Sequence, residues 1–194
     1  MTDLHIEADD ATVVPPDKRA DLIPSHITLR RELNALEQEN ILTASVWALQ
    51  RRHDPVSESF VRKLHRRMFR KVWRWAGKYR TANTNLGVDR TLIQPRLYEA
   101  LDNTRFWVEN KTFPPDEIAV RFHHALVSVH PFSDGNGRWS RLMADVLAAR
   151  LNRPRFTWGG GDLGDTGQMR QKYIDTLKAA DNQDFAPLVI FARS

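Results

Sequence analysis

The feature that most limits what this chain can become is the return of apolar residues at helical spacing. Over 114–129, Ile118, Ala119, Phe122, Ala125, Leu126 and Val129 fall on one face. Prolines stand at the start of that segment, and Asp116 and Glu117 lie where a first turn favours acids. Phe60, Leu64, Met68 and Val72 repeat every four residues in a helix expected to begin near Pro55 and to end at or just before Gly77. A further stripe, Leu29, Leu33, Leu36, Asn40, Ala44 and Trp47, runs through 25–52 with one polar interruption at Asn40. Helical patterns also cover 96–110, 137–151, 165–180 and 185–192. Residues 81–95 break the period: Thr, Val and Ile flank the turn-like Asn85-Leu86-Gly87, which predicts a short β-hairpin flap. The expected fold class is mostly α, a helical bundle with that one hairpin.

At 194 residues the chain is long enough for one domain with a proper core. Residues 1–24 read as an N-terminal arm, mixing acids with Pro15, Pro16 and Pro24, and 25–194 read as the domain. There is no cysteine, which excludes disulfides, thiolate nucleophiles and Cys-ligated metals, and leaves histidine and carboxylates for base and metal chemistry. The first residues lack a basic region followed by an apolar run, and no apolar stretch approaches the ~18–20 residues that span a bilayer. A cytoplasmic protein without a membrane partner is the expectation. The formal charge of +5 is local. Nine cations lie in 62–80 with no acid among them, and the rest of the chain is acidic on balance. That run reads as a solvated helix face or as a surface for an acidic partner, and direct nucleic-acid binding is not expected.

The chemistry gathers between two helices, in His130-Pro131-Phe132-Ser133-Asp134-Gly135-Asn136-Gly137-Arg138-Trp139-Ser140-Arg141. Gly135 and Gly137 allow positive φ and expose successive backbone N–H groups ahead of a helix N-terminus, an arrangement that binds anions. Arg138 and Arg141, at i and i+3, can grip phosphate oxygens. Asp134 offers a hard oxygen suited to Mg²⁺, and His130 can take a proton near neutral pH. Two weaker signals carry less. Residues 159–164 fit G-x-G-x-x-G, but helix precedes them and only thirty residues follow, too few for a dinucleotide-binding unit, so a close-packed loop is expected. His123 and His124 point about 100° apart on a helix, which suits core or surface histidines better than a metal pair.

The segment His130–Arg141 matches the signature H-x-F-x-[DE]-G-N-G-R-x-x-R at every specified position, and on that motif the chain resembles the Fic (Fic/Doc) family. The resemblance extends to Leu64-His65-Arg66-Arg67-Met68-Phe69, to Trp75-Ala76-Gly77-Lys78-Tyr79-Arg80 and to the helices after Trp158. Trp158-Gly159-Gly160-Gly161-Asp162-Leu163 and the 33–41 segment look like the subgroup called mobile mystery protein B. That subgroup is typically encoded on mobile elements beside a small helix-turn-helix protein.

The resemblance implies a Fic-type helical fold and a protein adenylyltransferase, which moves AMP from ATP to a Ser, Thr or Tyr hydroxyl of a target protein. On that analogy His130 is the base and Asp134 holds Mg²⁺. Gly135, Asn136 and Gly137 bind phosphates, Arg138 and Arg141 grip the β- and γ-phosphates, and Phe132 anchors the loop in the core. The target would add a strand at the 88–94 flap. Gly137, where phosphate-transferring members tend to carry Lys, favours nucleotidyl transfer. Tyr173 would neighbour the adenine. An inhibitory helix in many members carries [ST]-x-x-x-E-[GN]; Ala35 to Asn40 approaches it but has Ala35 in place of Ser or Thr, so two readings of the helix near 25–52 stay open: Glu39 pairs with Arg141 and self-inhibits, or Glu39 is a solvated glutamate on a charged helix. The alternatives are a Fic-fold regulatory or binding protein with silent catalysis, or an enzyme that uses another nucleotide-like donor or removes AMP.

Overall fold

A computed structural model of the chain describes residues 14, 19–50, 53–160 and 167–194. These residues form seven α-helices: α1 (Arg30–Gln50), α2 (Glu58–Phe69), α3 (Ile93–Asn110), α4 (Pro115–Val129), α5 (Asn136–Arg150), α6 (Gln168–Asp181) and α7 (Ala186–Arg193). The pair α4–α5 is the centre. α3 packs against α4, α1 and α2 pack together and both reach α5, and α6 pairs with α7, which rests on α4. Leu64, Met68, Phe122, Leu126, Trp139 and Met143 are fully enclosed where these helices meet. At about 1.5–3 kcal/mol for each large apolar side chain removed from water, this cluster is what fixes α2, α4 and α5 against one another. No described helix is long and apolar enough to cross a membrane.

The four-residue row of α2 is as the periodicity predicts: Phe60, Leu64, Met68 and Val72 are all buried. The helix nevertheless stops at Phe69, with Arg70 as its C-cap. Gly77 is the point at which the following turns fold back onto α2. At its φ of 76° a Cβ would lie 2.7 Å from Arg66 Cβ and 2.9 Å from the Arg62 carbonyl, so only glycine fits. The stripe of α1 is rotated from the expected one. Leu33, Asn40 and Ala44 are buried as predicted, but Glu37 and Ala48 complete the inward face, while Leu36 and Trp47 are only half-buried. Asn40 satisfies itself on the helix, donating from Nδ2 to the Leu36 carbonyl at 2.8 Å.

The expected β-hairpin flap is absent: among the described residues no strand forms. Residues 81–89 are a loop whose polar side chains take the partners a hairpin would pair across its strands. Asn83 Nδ2 donates to Asp89 Oδ2 at 2.8 Å, and Asn83 Oδ1 accepts from Arg90 N at 2.8 Å. Asp89 Oδ1 accepts from Thr91 N at 2.9 Å and caps a 3₁₀ turn, Arg90–Leu92, that runs into α3. The stretch 88–94 is thus a loop end, a 3₁₀ turn and the first residues of a helix.

Most of the arm at 1–24 lies outside the described residues. Its described end is pinned to the turns after α2: Ile23 N donates to the Val72 carbonyl at 2.8 Å, and Arg74 N to that of Asp21 at 3.0 Å. In the glycine-rich stretch, 161–166 also lie outside the described residues. Gly159 has the close packing expected of a loop, since a Cβ there would sit 2.6 Å from Met169 Sδ and 2.9 Å from Phe191 Cζ.

Candidate active site

α4 ends and α5 begins around the twelve-residue motif. His130 is the C-cap of α4, in the left-handed conformation at φ 51° and ψ 58°. It is half-buried, and burial lowers its pKa from the ordinary value. The Arg80 charge works in the same direction, while the Val127 carbonyl and Asp134 oppose. A lowered pKa keeps the imidazole a free base at neutral pH, the state required to accept a proton.

Below His130 the loop is locked to the core. Phe132 is fully buried, stacked on the His65 ring at 3.6 Å between centroids and edge-on to Trp139 at 5.0 Å. Asn136 closes a reciprocal clamp with the Phe132 main chain: its Oδ1 accepts from Phe132 N at 2.9 Å, and its Nδ2 donates to the Phe132 carbonyl at 2.8 Å. The Asn136 side chain is therefore engaged within the loop, and its backbone N–H is the group it offers to an anion. His65 is the second anchor. Its Nδ1 accepts from Gly77 N at 3.0 Å, so the ring proton is on Nε2, which donates to the Asp134 carbonyl at 3.1 Å. Phe69 finishes the wall beneath Gly135. At the Gly135 φ of 74° a Cβ would stand 2.4 Å from Phe69 Cζ, whereas a Cβ at Gly137 would meet only Arg141 Nη1, at 3.6 Å.

The two glycines therefore answer to different demands, and substitution separates them. Gly135→Ala is expected to destabilise the protein by about 2 kcal/mol or more, through backbone strain and overpacking against Phe69, read as a lower urea midpoint. Gly137→Ala is expected to fold with its urea midpoint nearly unchanged but to bind ATP more weakly, because its methyl enters the space in front of the first-turn N–H groups. A lowered midpoint with intact ATP affinity for Gly137→Ala contradicts that assignment.

The arginines have acquired partners outside the motif. Arg138 lies over the Phe69 ring, and its Nη1 meets Glu37 Oε2 at 2.5 Å. The other oxygen of Glu37 accepts from Trp73 Nε1 at 2.5 Å, and Glu37 is only 5% exposed. The sequence leaves Glu39 either paired with Arg141 or solvated, and the first of these is not what forms. The structure instead places Glu39 on the exposed side of α1 and Glu37 on Arg138, because residues 33, 37, 40 and 44 share the inward face and position 39 does not. Arg141 sits over Tyr173 at 5.4 Å from the ring centroid. Among the described residues no carboxylate forms an ion pair with Arg141. The Tyr173 hydroxyl is turned inward to His123 Nε2 at 2.9 Å, so Tyr173 and His123 back the arginine from the core. His124, the surface member of that pair, meets Asp181 at 2.7 Å.

His65 and His123 are fully buried, and burial holds each pKa at about 3. Both are neutral in the folded protein, whereas an unfolded chain protonates them near pH 6.5. Between about pH 6.5 and about pH 3 the unfolded state binds more protons, so stability falls as pH falls through that window. The urea midpoint is expected to be lower at about pH 5 than at about pH 7.5. An equal midpoint at the two pH values contradicts this account.

Asp134 is the carboxylate nearest the anion-binding turn. It is half-buried, and its Oδ1 accepts from Gly135 N at 2.5 Å. Among the described residues there is no cluster of three or more His, Asp or Glu side chains able to hold a metal. One carboxylate fits Mg²⁺, which commonly binds through one or two carboxylates together with substrate phosphates. Sequence reasoning missed Glu37, Trp73 and Arg80. Arg80, counted among the surface cations, is buried, and its side chain donates to main-chain carbonyls around His130.

A half-buried histidine placed before the N-terminus of a helix, with two arginines in that helix's first turns and all carried by a helical bundle, defines an α-helical domain whose site has the donors suited to phosphate. The sequence model of the Fic/DOC family matches residues 55–148, and that segment is a Fic/DOC family domain. Over 88 residues the chain is 39% identical to the protein adenylyltransferase Fic of Aedes aegypti, an overlap covering 44% of this chain and 16% of that protein. Over 145 residues it is 29% identical to the protein adenylyltransferase fic-1 of Caenorhabditis elegans, covering 73% of this chain and 27% of that protein. The chain thus spans less than a third of the length of either relative. The N-terminal Fic domain of a VirB-translocated Bep effector protein from Bartonella quintana shares the fold, with a TM-score of 0.68 at 17% identity over 88% of this chain and 84% of that one. Its crystal structure with bound ADP gives 0.66 at 17% identity, over 87% and 86%.

Proposed function

We propose that this protein is a protein adenylyltransferase that moves AMP from ATP to a Ser, Thr or Tyr hydroxyl of a target protein. The observation that carries the reading is His130, held as a free base at the end of α4, directly before the anion-binding N-terminus of α5. The histidine takes the proton of the acceptor hydroxyl, whose oxygen forms the new bond to the α-phosphorus. The bond from that phosphorus to the bridging oxygen breaks, and pyrophosphate leaves with its electron pair. The first-turn N–H groups of α5 and Arg141 hold the phosphates, and Arg138 joins them when Glu37 releases it. Asp134 would hold Mg²⁺ together with phosphate oxygens, and the ion, when bound, offsets phosphate charge. The target meets the stretch leading into 88–94, where Leu86, in the loop that touches His130 through Gly87, and Leu92, in the following turn, are exposed. ATP as donor is supported by the names of the curated relatives and by the nucleotide in the Bartonella domain.

The Glu37–Arg138 pair favours a second reading alongside the first: a protein whose transfer is restrained by its own α1, silent when isolated. The subgroup likeness would add a small helix-turn-helix partner and a mobile-element setting. One experiment separates active from silent. The protein, and its Glu37→Gln variant, are incubated with ATP and Mg²⁺, and mass spectrometry follows addition of AMP to any hydroxyl, on the protein itself or on proteins supplied with it. AMP addition that depends on His130 supports the transferase. ATP binding with no AMP addition, even in Glu37→Gln, supports the binding protein.

A further inference from the structure

Nine cations crowd residues 62–80, and Arg80 alone among them is buried, at 5% exposure. Its guanidinium reaches three carbonyls that belong to two different parts of the chain. Nε donates to the carbonyl of His130 at 2.8 Å, Nη1 to that of Ala82 at 2.9 Å, and Nη2 to that of Val88. Its own backbone N–H donates to the Pro131 carbonyl at 2.9 Å, and its neighbour Tyr79 forms a bridge with Phe132. The loop 82–88 touches the histidine in a second way. Gly87 has a φ of 92°, and a Cβ there would stand 2.3 Å from His130 Cβ, 2.9 Å from the Val129 carbonyl and 3.1 Å from Arg80 Nη2. Val88 N also donates to the Val129 carbonyl, at 3.4 Å.

We propose that Arg80 is a positioning residue that fixes the distance between His130 and the 82–88 loop. The base and the surface that receives the target then move as one body. His130 sits at a helix end in a left-handed backbone conformation, with no following helical residue to hold it. A hydroxyl presented by a target on the 82–88 loop must come within hydrogen-bond reach of the imidazole, and a misplacement of about 1 Å can cost about 100-fold in rate. The planar fork of arginine donates in several fixed directions at once, so one side chain can tie the His130 carbonyl to both ends of the loop. A lysine would supply the charge but cannot reproduce that three-way geometry.

This inference rests on the reading of His130 as the base, and the test separates the two. Arg80→Lys is compared with the wild type in the full chain, after thermal unfolding shows that both are folded at the assay temperature. With whatever acceptor the wild type modifies, Arg80→Lys is expected to lower kcat about 100-fold while the KM for ATP stays within about twofold. A kcat restored by lysine overturns the proposal, because a single cation would then suffice. Hydrogen exchange at the Val88 amide reports the same coupling without turnover, and is expected to accelerate about tenfold in Arg80→Lys. Unchanged exchange overturns the proposal whether or not the wild type transfers AMP. If the wild type shows no His130-dependent transfer while exchange at Val88 accelerates, the reading of the reaction fails and the coupling by Arg80 stands. Should Arg80→Lys not fold, Arg80→Gln with the same two measurements decides in the same way.

Discussion

Replacing His130 with alanine is expected to lower AMP transfer by about 10²–10⁴-fold while leaving the affinity for ATP nearly unchanged. The prediction follows from where the residue stands. The groups assigned to phosphate are the first-turn N–H groups of α5 and the arginines at 138 and 141, and none depends on the imidazole. The main chain of His130, by contrast, is held by Arg80 and by the end of α4, so the loop keeps its place when the ring is removed. Alanine at a φ of 51° carries some backbone strain, and His130→Asn, which tolerates that conformation better, is the companion variant. Both should bind ATP by calorimetry, and both should label a hydroxyl at least about 100-fold more slowly than the wild type. Full transfer by either removes His130 from the role of base.

Glu37→Gln is expected to raise ATP affinity about tenfold, roughly 1.4 kcal/mol, and to raise transfer with it. The substitution is chosen for its geometry. Glutamine keeps an oxygen for Trp73 Nε1, which preserves the buried bond, but presents an amide N–H₂ where Arg138 needs an acceptor. Arg138 is thereby freed for phosphate. Alanine at 37 would leave Trp73 and Arg138 without their partner together, confounding stability with function. Glu39→Gln, on the exposed side of the same helix, serves as the control and should change neither measurement. Equal ATP affinity in Glu37→Gln and the wild type would show that the pair is structural and does not restrain the site.

Some of this was legible in the residues and some was not, for identifiable reasons. The α2 row is enclosed as the apolar spacing requires, and so is the α4 face apart from half-buried Ala125, because burial of one face is what makes them helices; only the α1 stripe is rotated. The motif reads correctly as a loop feeding a helix because Gly135 and its positive φ leave little else. Glu37 escaped notice because a charged residue does not enter an apolar stripe, although it occupies the inward position of α1 between Leu33 and Asn40. Its burial depends on two donors distant in sequence, Trp73 and Arg138, which no local pattern shows. Arg80 was hidden by its company, one cation in a run whose other members face solvent or lie half-buried. The hairpin failed for the opposite reason. Turn-like residues were present, but Asn83 and Asp89 bind the local backbone themselves and so remove the need for cross-strand pairing.

The Fic/DOC match runs from residue 55 to residue 148, and it contains His130, the turn that leads into α5 and both arginines. Glu37, which covers Arg138, lies before it on α1, and Tyr173, which backs Arg141, lies after it on α6. Chemistry and access to the chemistry therefore occupy separate stretches of polypeptide. A designer could exchange either flanking helix for one of different sequence and change what stands beside each arginine, without altering a single residue of the motif. The same division means that a minimal fragment cut to the family match would leave Arg138 without Glu37 and Arg141 without Tyr173, and its behaviour would be a poor guide to that of the whole chain.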